Sequence, residues 1–220
     1  MLEQMLETVK ERFPLTETDC GDYKVLSDKG RRYAFRSFSA EKLGHVCAVS
    51  VTGTAGLVKK SVLIINPLSV DAPLLYCELE DEFGRNTLRV EFYDTMLKKG
   101  AAFDNGMHTM ERINQKFTEA KTVTPEEAWY DKIRLYPSVL KRAGRKGRAV
   151  RDKYALTYLE SFLTLCANAP ECKASSKKRK CTLYCNGLLR NGGPGVETFL
   201  RLLEINRTEY LYKHVVFGIL

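Results

Sequence analysis

The sequence predicts an α+β fold, an α/β/α sandwich with a central antiparallel sheet flanked by helices. Three observations predict it. Six short segments rich in Val, Ile, Leu, Tyr and Phe crowd the first hundred residues, too close together for crossover helices between them. From about Met107 the apolar period changes from two to near 3.6. Strands followed by helices, rather than alternating with them, place one sheet under helical layers. At 220 residues, 44% hydrophobic and 28% charged, the chain is not of disordered composition and fits one core. It is read as a single domain, 1–220, with an N-terminal helix and sheet to about 105 and a mostly helical second half.

The N-terminus sets Leu2, Met5, Leu6, Val9 and Phe13 at helical spacing. Its Glu3 and Glu7, and the lack of a basic leader with an apolar core, do not fit a signal peptide. No run approaches the roughly 18 apolar residues of a membrane span. The expectation is a cytoplasmic monomer with no membrane partner. The strand segments are Tyr23–Ser27, Arg32–Phe38, His45–Thr52, Ser61–Asn66, Pro73–Glu80 and Asn86–Asp94, bounded by Gly, Pro, Asn or Asp. A turn is expected near Asn105-Gly106. Helical stretches are expected over Met107–Phe117, Pro125–Arg142, Arg151–Ala167, Val196–Leu203 and Arg207–Phe217. Pro125 with Glu126 and Glu127 reads as a first helical turn.

The hairpin about Phe83-Gly84 is the most informative element. Pairing its arms sets Leu79 opposite Leu88, Cys77 opposite Val90 and Leu75 opposite Phe92 on one face. The other face carries Glu78 opposite Arg89, Tyr76 opposite Glu91 and Leu74 opposite Tyr93. Left in water, Glu78 and Arg89 form a surface pair worth less than about 1 kcal/mol. Covered by the later helices, Tyr76, Glu78, Arg89, Glu91 and Tyr93 line a pocket. A carboxylate desolvated there becomes a weaker acid, able to give a proton near neutral pH.

Residues Ile65-Asn66-Pro67, a short loop and Ala72-Pro73-Leu74-Leu75-Tyr76-Cys77-Glu78 resemble the ferredoxin-dependent bilin reductase family. That family shows an apolar strand ending in Phe-Pro, a short loop, then Pro-Leu/Ile-Phe-Gly-x-Asp. Lys42-Leu-Gly-His45-Val-Cys47 is similar to its Arg-x-x-His-x-Glu strand, and Phe199-Leu-Arg-Leu-Leu with Tyr210–Phe217 resembles its closing helices. Plant red chlorophyll catabolite reductases share that architecture. The likeness covers Tyr23–Asp94 and Gly187–Phe217, discontinuously. It implies binding and reduction of a linear tetrapyrrole such as biliverdin, with Glu78 as the proton donor. Arg89 would orient Glu78 or contact a propionate, and Asp94 and His45 would be secondary pocket residues. It further implies no bound metal or flavin, with electrons arriving singly from reduced ferredoxin. Ferredoxins are acidic, so a basic docking surface is required, and it is expected at Arg145, Lys146 and Arg148. Cys47 stands where the family often has glutamate, and Ser61 or Val62 where several members have histidine or asparagine. Asn191-Gly192-Gly193-Pro194 stands where the family has Asp-Pro, so its second functional carboxylate is missing.

The net charge of +8 suits an acidic partner of any kind. The alternative is therefore a basic nucleic-acid-binding or protein-interaction module without catalysis. It would use Lys141–Lys153 and Lys173–Lys180, both read as loops. The first run has no aromatic residue before Lys153 for bases to stack on. Cys166, Cys172, Cys181 and Cys185 lack the paired two-residue spacing of zinc sites and are read as surface thiols on a flexible loop rather than as metal ligands. Gly192-Gly193-Pro194-Gly195 reads as a turn before a helix, not a dinucleotide fingerprint.

Overall fold

The computed structural model describes residues 1–53 and 56–220. Helix α1 (Leu2–Arg12) leads into seven strands: β1 (Leu15–Thr18), β2 (Val25–Asp28), β3 (Arg31–Ala40), β4 (Gly44–Gly53), β5 (Val58–Pro67), β6 (Leu74–Glu82) and β7 (Arg85–Tyr93). Then follow α2 (Ala101–Lys116), β8 (Lys121–Thr122), a 3-10 turn (Trp129–Lys132), β9 (Arg134–Ala143) and α3 (Arg148–Asn168). Helices α4 (Ala174–Asn191) and α5 (Val196–Tyr210) and a π-helical turn (Leu211–Val216) close the chain. The sheet runs β1-β3-β4-β5-β6-β7-β9-β8, antiparallel throughout, with β2 also on the outer edge of β3. Among the described residues no helix is long and apolar enough to cross a membrane.

Strand alternation gives the sheet two faces, each with its own core. On one face Leu75, Cys77, Leu79, Leu88, Val90 and Phe92 pack beneath α1, α2 and α3. Phe92 stacks on Phe162 of α3 at 6.1 Å between ring centres; burying a side chain of this kind stabilises by about 2–3 kcal/mol. On the other face Tyr33, Phe35, Val49, Val62, Ile64 and Tyr76 lie under α4, α5 and the π-helical turn. This is the predicted sandwich.

Three local expectations are corrected. Pro125–Arg142 is not a helix. Pro137 within it lacks the amide a helix needs, while Pro137, Val139, Lys141 and Ala143 are buried at a period of two. That segment instead supplies β9, whose backbone pairs with β7. The expected turn at Asn105-Gly106 lies inside α2. A Cβ on Gly106 would stand 2.3 Å from Leu165, so the glycine is what lets α2 cross α3 closely. The expected cysteine loop is α4, which turns Lys177, Cys181, Tyr184, Cys185 and Leu188 inward at helical spacing. Cys166 belongs to one core and Cys181 and Cys185 to the other, and among the described residues no three metal-ligating side chains come together. The C-terminal pair matches better, since α5 breaks at Glu204 (φ 63, ψ 175) before resuming.

The two basic runs are not plain solvated loops either. Lys141, Arg151 and Lys177 are buried. Arg151 pairs with Asp81, donates to Asp152 Oδ1 at 2.6 and 2.8 Å, and donates to the Glu80 carbonyl at 3.1 Å. Lys177 donates to the Ala72 and Thr95 carbonyls at 2.6 and 3.0 Å, tying α4 to the loops flanking β6 and β7. These charges hold the helical layers to the sheet.

Candidate functional site

The β6–β7 hairpin has the expected register, with Tyr76 opposite Glu91, Glu78 opposite Arg89 and Leu74 opposite Tyr93. The face carrying these side chains is covered by α4 and α5, so its carboxylates are not surface groups: Glu78 is 6% exposed and Glu91 3%. Pairing of β5 with β6 brings Lys60 beside Glu80 and Val62 beside Glu78. Lys60 Nζ lies 3.2 Å from Glu78 Oε2 and 3.1 Å from Glu80 Oε1, and the Tyr76 hydroxyl donates to Glu78 at 2.6 Å. Burial works against the Lys60 charge, but the two glutamates outweigh it and hold its pKa above the ordinary lysine value. Burial, reinforced by Glu78, lifts Tyr76 well above the usual phenol value. Glu78 is therefore an ion-paired, hydrogen-bonded carboxylate and not one shaped by desolvation alone.

Above these residues lies a cavity of about 360 Å³, within the range of small-molecule sites. Its sheet wall carries the charged groups Arg31, Lys60, Glu78, Glu80 and Arg89, with Val49 and Val62 beside Glu78 and the apolar Ile64 and Leu74 further along the strands. The roof is Tyr184 and Leu188 of α4, Phe199 of α5, and Tyr212 and Phe217 beyond it. Arg89 is held charged against burial by Glu78 and Glu91, yet its Nε is buried with no hydrogen-bond partner. A buried donor without an acceptor is costly and suits an anionic ligand group.

The turn from α4 to α5 completes the wall. Trp129 Nε1 donates to the Gly192 carbonyl at 2.7 Å, and its ring fills the space where a Cβ on Gly187 would fall. This fixes Pro194 and Gly195 against the cavity. Gly195 has φ +78, which a larger residue would adopt only under strain. Gly193, where the resemblance implies a second carboxylate, is packed against Leu188, and the cavity wall here is formed by Pro194 and Gly195, which bear none.

Tyr76, Glu78 and Arg89 line the cavity, while the other candidates do not. Glu91 and Tyr93 share the face but are sealed beneath Tyr130 and Tyr184, with Tyr93 donating to Glu91 at 2.6 Å and Arg134 lying 3.2 Å from it. Asp94 follows β7 outside the cavity, paired with Lys99 at 3.1 Å. Arg145, Lys146 and Arg148 lie where α3 begins, in the helical layer on the opposite sheet face. Arg145 and Lys146 are exposed, whereas Arg148 pairs with Asp81 at 3.1 Å. Lys60, Arg31, Glu80 and the aromatic roof were not singled out from sequence. Only the register of β5 on β6 and of β3 on β4 would have revealed the first three.

His45 is on the cavity's side of the sheet, but the chain end fills the space above it. Its Nε2 lies 2.8 Å from the Val215 carbonyl, and a Cβ on Gly218 would stand 2.3 Å from its Nδ1. Burial pushes its pKa down to about 4, with the Val215 bond opposing and His214 and Lys178 reinforcing the shift. A neutral imidazole here donates from Nε2. Because its folded pKa lies below the unfolded value near 6.5, the unfolded chain binds more protons between the two. The associated stability is therefore present above about pH 6.5 and is lost as the pH falls towards 4. Urea unfolding at pH 7 and pH 5 should show about 2 kcal/mol lost through this residue, and His45→Gln should remove that part of the pH dependence. Equal pH dependence in both proteins would exclude His45 as its source.

No family model matches the sequence, and no curated protein matches it. Among solved structures the fold is similar to phytochromobilin synthase from tomato, crystallised in complex with biliverdin. The TM-score is 0.72 at 14% identity, covering 99% of this chain and 82% of that one. At that identity the likeness is one of fold: a large antiparallel sheet between helical layers.

Proposed function

We propose that the cavity binds a linear tetrapyrrole such as biliverdin and reduces it with electrons supplied singly by reduced ferredoxin. The observation that carries this reading is the charged wall: Glu78 held by Tyr76 and Lys60, beside Arg89 with its unpartnered Nε, facing an aromatic roof. An extended conjugated ring system fits between apolar sheet and aromatic roof, and its propionates meet Lys60, Arg89 and Arg31. Similarity of fold to a protein crystallised with biliverdin supports the same reading.

Glu78 is the proton donor in this scheme. The ligand's ring system lies over Glu78 and excludes water from it. An electron added to the ligand makes it more basic, and Glu78 then delivers its proton. The carboxylate left behind is received by Lys60 and the Tyr76 hydroxyl. Arg145 and Lys146 are the surface assigned to the acidic donor. Single-turnover reduction of bound biliverdin by photoreduced ferredoxin, followed by visible absorption, tests the whole. Loss of the biliverdin band on illumination is expected, and a band that persists while ferredoxin stays reduced contradicts it.

A further inference from the structure

Reduction of one double bond consumes two electrons and two protons, and Glu78 stands on one wall only. The opposite wall carries two phenols, Tyr184 and Tyr212. Tyr212 is committed, donating to the Pro194 carbonyl at 3.0 Å. Tyr184 is backed instead by a chain of polar groups. Its ring lies 4.8 Å from that of Tyr93, which is fully buried and donates to Glu91 Oε2 at 2.6 Å. Arg134 Nη1 lies 3.2 Å from the other Glu91 oxygen, and its Nη2 lies 2.9 Å from Asp131, which is one-third exposed. Buried groups thus run from the cavity roof to the surface, behind a site whose wall at Pro194 and Gly195 has no carboxylate.

Resting on the proposed reduction, we infer that Tyr184 is a second proton donor to the ligand, resupplied through Tyr93 and Glu91. After an electron reaches the ligand, Tyr184 gives it a proton in the same step as Tyr93 passes one to Tyr184, and the Tyr93 oxygen regains its proton along its hydrogen bond to Glu91. Solvent beside Asp131 and Arg134 supplies that proton, so each electron taken up is matched by one proton. Burial lifts Tyr184 and Tyr93 well above the ordinary phenol value. Both phenols are neutral at working pH, so the relay passes a proton without storing charge. Tyr184 touches the ligand and is catalytic, whereas Tyr93 and Glu91 act through it as positioning residues. Donors on opposite walls protonate opposite sides of the ligand, which fixes the product's geometry.

The test is single-turnover reduction of prebound biliverdin by photoreduced ferredoxin, in H2O and in D2O, for wild type, Tyr184→Phe, Tyr93→Phe and the double variant. All four should bind biliverdin with the same stoichiometry and take up the first electron at the same rate. The following protonation should slow by roughly 10- to 100-fold in each single variant, with no further loss in the double. Its solvent isotope effect should change alike in both single variants, which a purely structural role would not produce. A wild-type rate in Tyr184→Phe, or single losses that multiply in the double, overturns the relay while leaving bilin reduction intact. Failure of the wild-type protein to bind or reduce biliverdin overturns the proposed function, and the relay with it.

Discussion

Glu78→Gln is expected to bind biliverdin normally and to reduce it roughly two to four orders of magnitude more slowly in single turnover. Glutamine keeps the size of the side chain and can still accept from the Tyr76 hydroxyl, now 2.6 Å from Glu78, so the wall keeps its shape. What it loses is the transferable proton. Electrons still arrive, and a one-electron-reduced bilin should accumulate because protonation lags behind. Glu78→Asp should keep partial activity, since it retains the acid while drawing it back from Lys60, at present 3.2 Å away. The unreactive-wall alternative makes a different forecast. If Glu78 only balances Lys60, the glutamine variant is slightly altered in stability and reduces bilin at the wild-type rate. Equal single-turnover rates would remove Glu78 from the chemistry.

Arg151→Met is expected to destabilise the protein by about 3 kcal/mol, a fall of about 6–12 °C in Tm for a chain of this size. Arg151 is 2% exposed and neutralises Asp81 and Asp152 from between them. Removing it leaves two partly buried carboxylates short of a cation and the Glu80 carbonyl without its donor. Arg148, 3.1 Å from Asp81, offsets part of the loss, which places the effect at the lower end for a broken buried pair. Adding Asp81→Asn to Arg151→Met should recover part of the stability, because one uncompensated charge is then gone. Arg148→Met, at a side chain more than half exposed, should change stability by less than about 1 kcal/mol. Thermal unfolding of the four proteins checks this; a drop below 1 kcal/mol in Arg151→Met would show that the pair is not what holds α3 to the end of β6.

The hairpin is legible in the amino-acid sequence because its two faces differ completely in character. A slip of one residue would bury Glu78 and Arg89 in the α1–α3 core, so alternation alone determines its register. Strand β9 is hidden by a strong local signal, Pro125 with two glutamates, which outweighs the contrary evidence of Pro137. Helix α4 is hidden because its inward face includes Lys177 and two cysteines, a face that no apolar pattern marks. Site residues follow the same divide. Tyr76 and Glu78 follow from the pairing of neighbouring strands, as does Arg89. Lys60 depends on a more distant pairing and the aromatic roof on helix packing, neither of which leaves a local trace. His45 shows the limit of face assignment: its strand position puts it on the correct side, but only the packed C-terminus decides whether cavity or protein lies above it.

If the covered polar face of the sheet is a tetrapyrrole site, titration of the protein with biliverdin, read by visible absorption, will show it. A one-to-one complex is expected at micromolar protein, with the long-wavelength band shifted and sharpened as the chromophore is held rigid against Tyr184 and Phe199. Arg89→Met, which removes the unpartnered donor, should weaken that complex by roughly tenfold or more while leaving its stoichiometry unchanged. A biliverdin spectrum that stays unchanged as micromolar protein is added would contradict the claim.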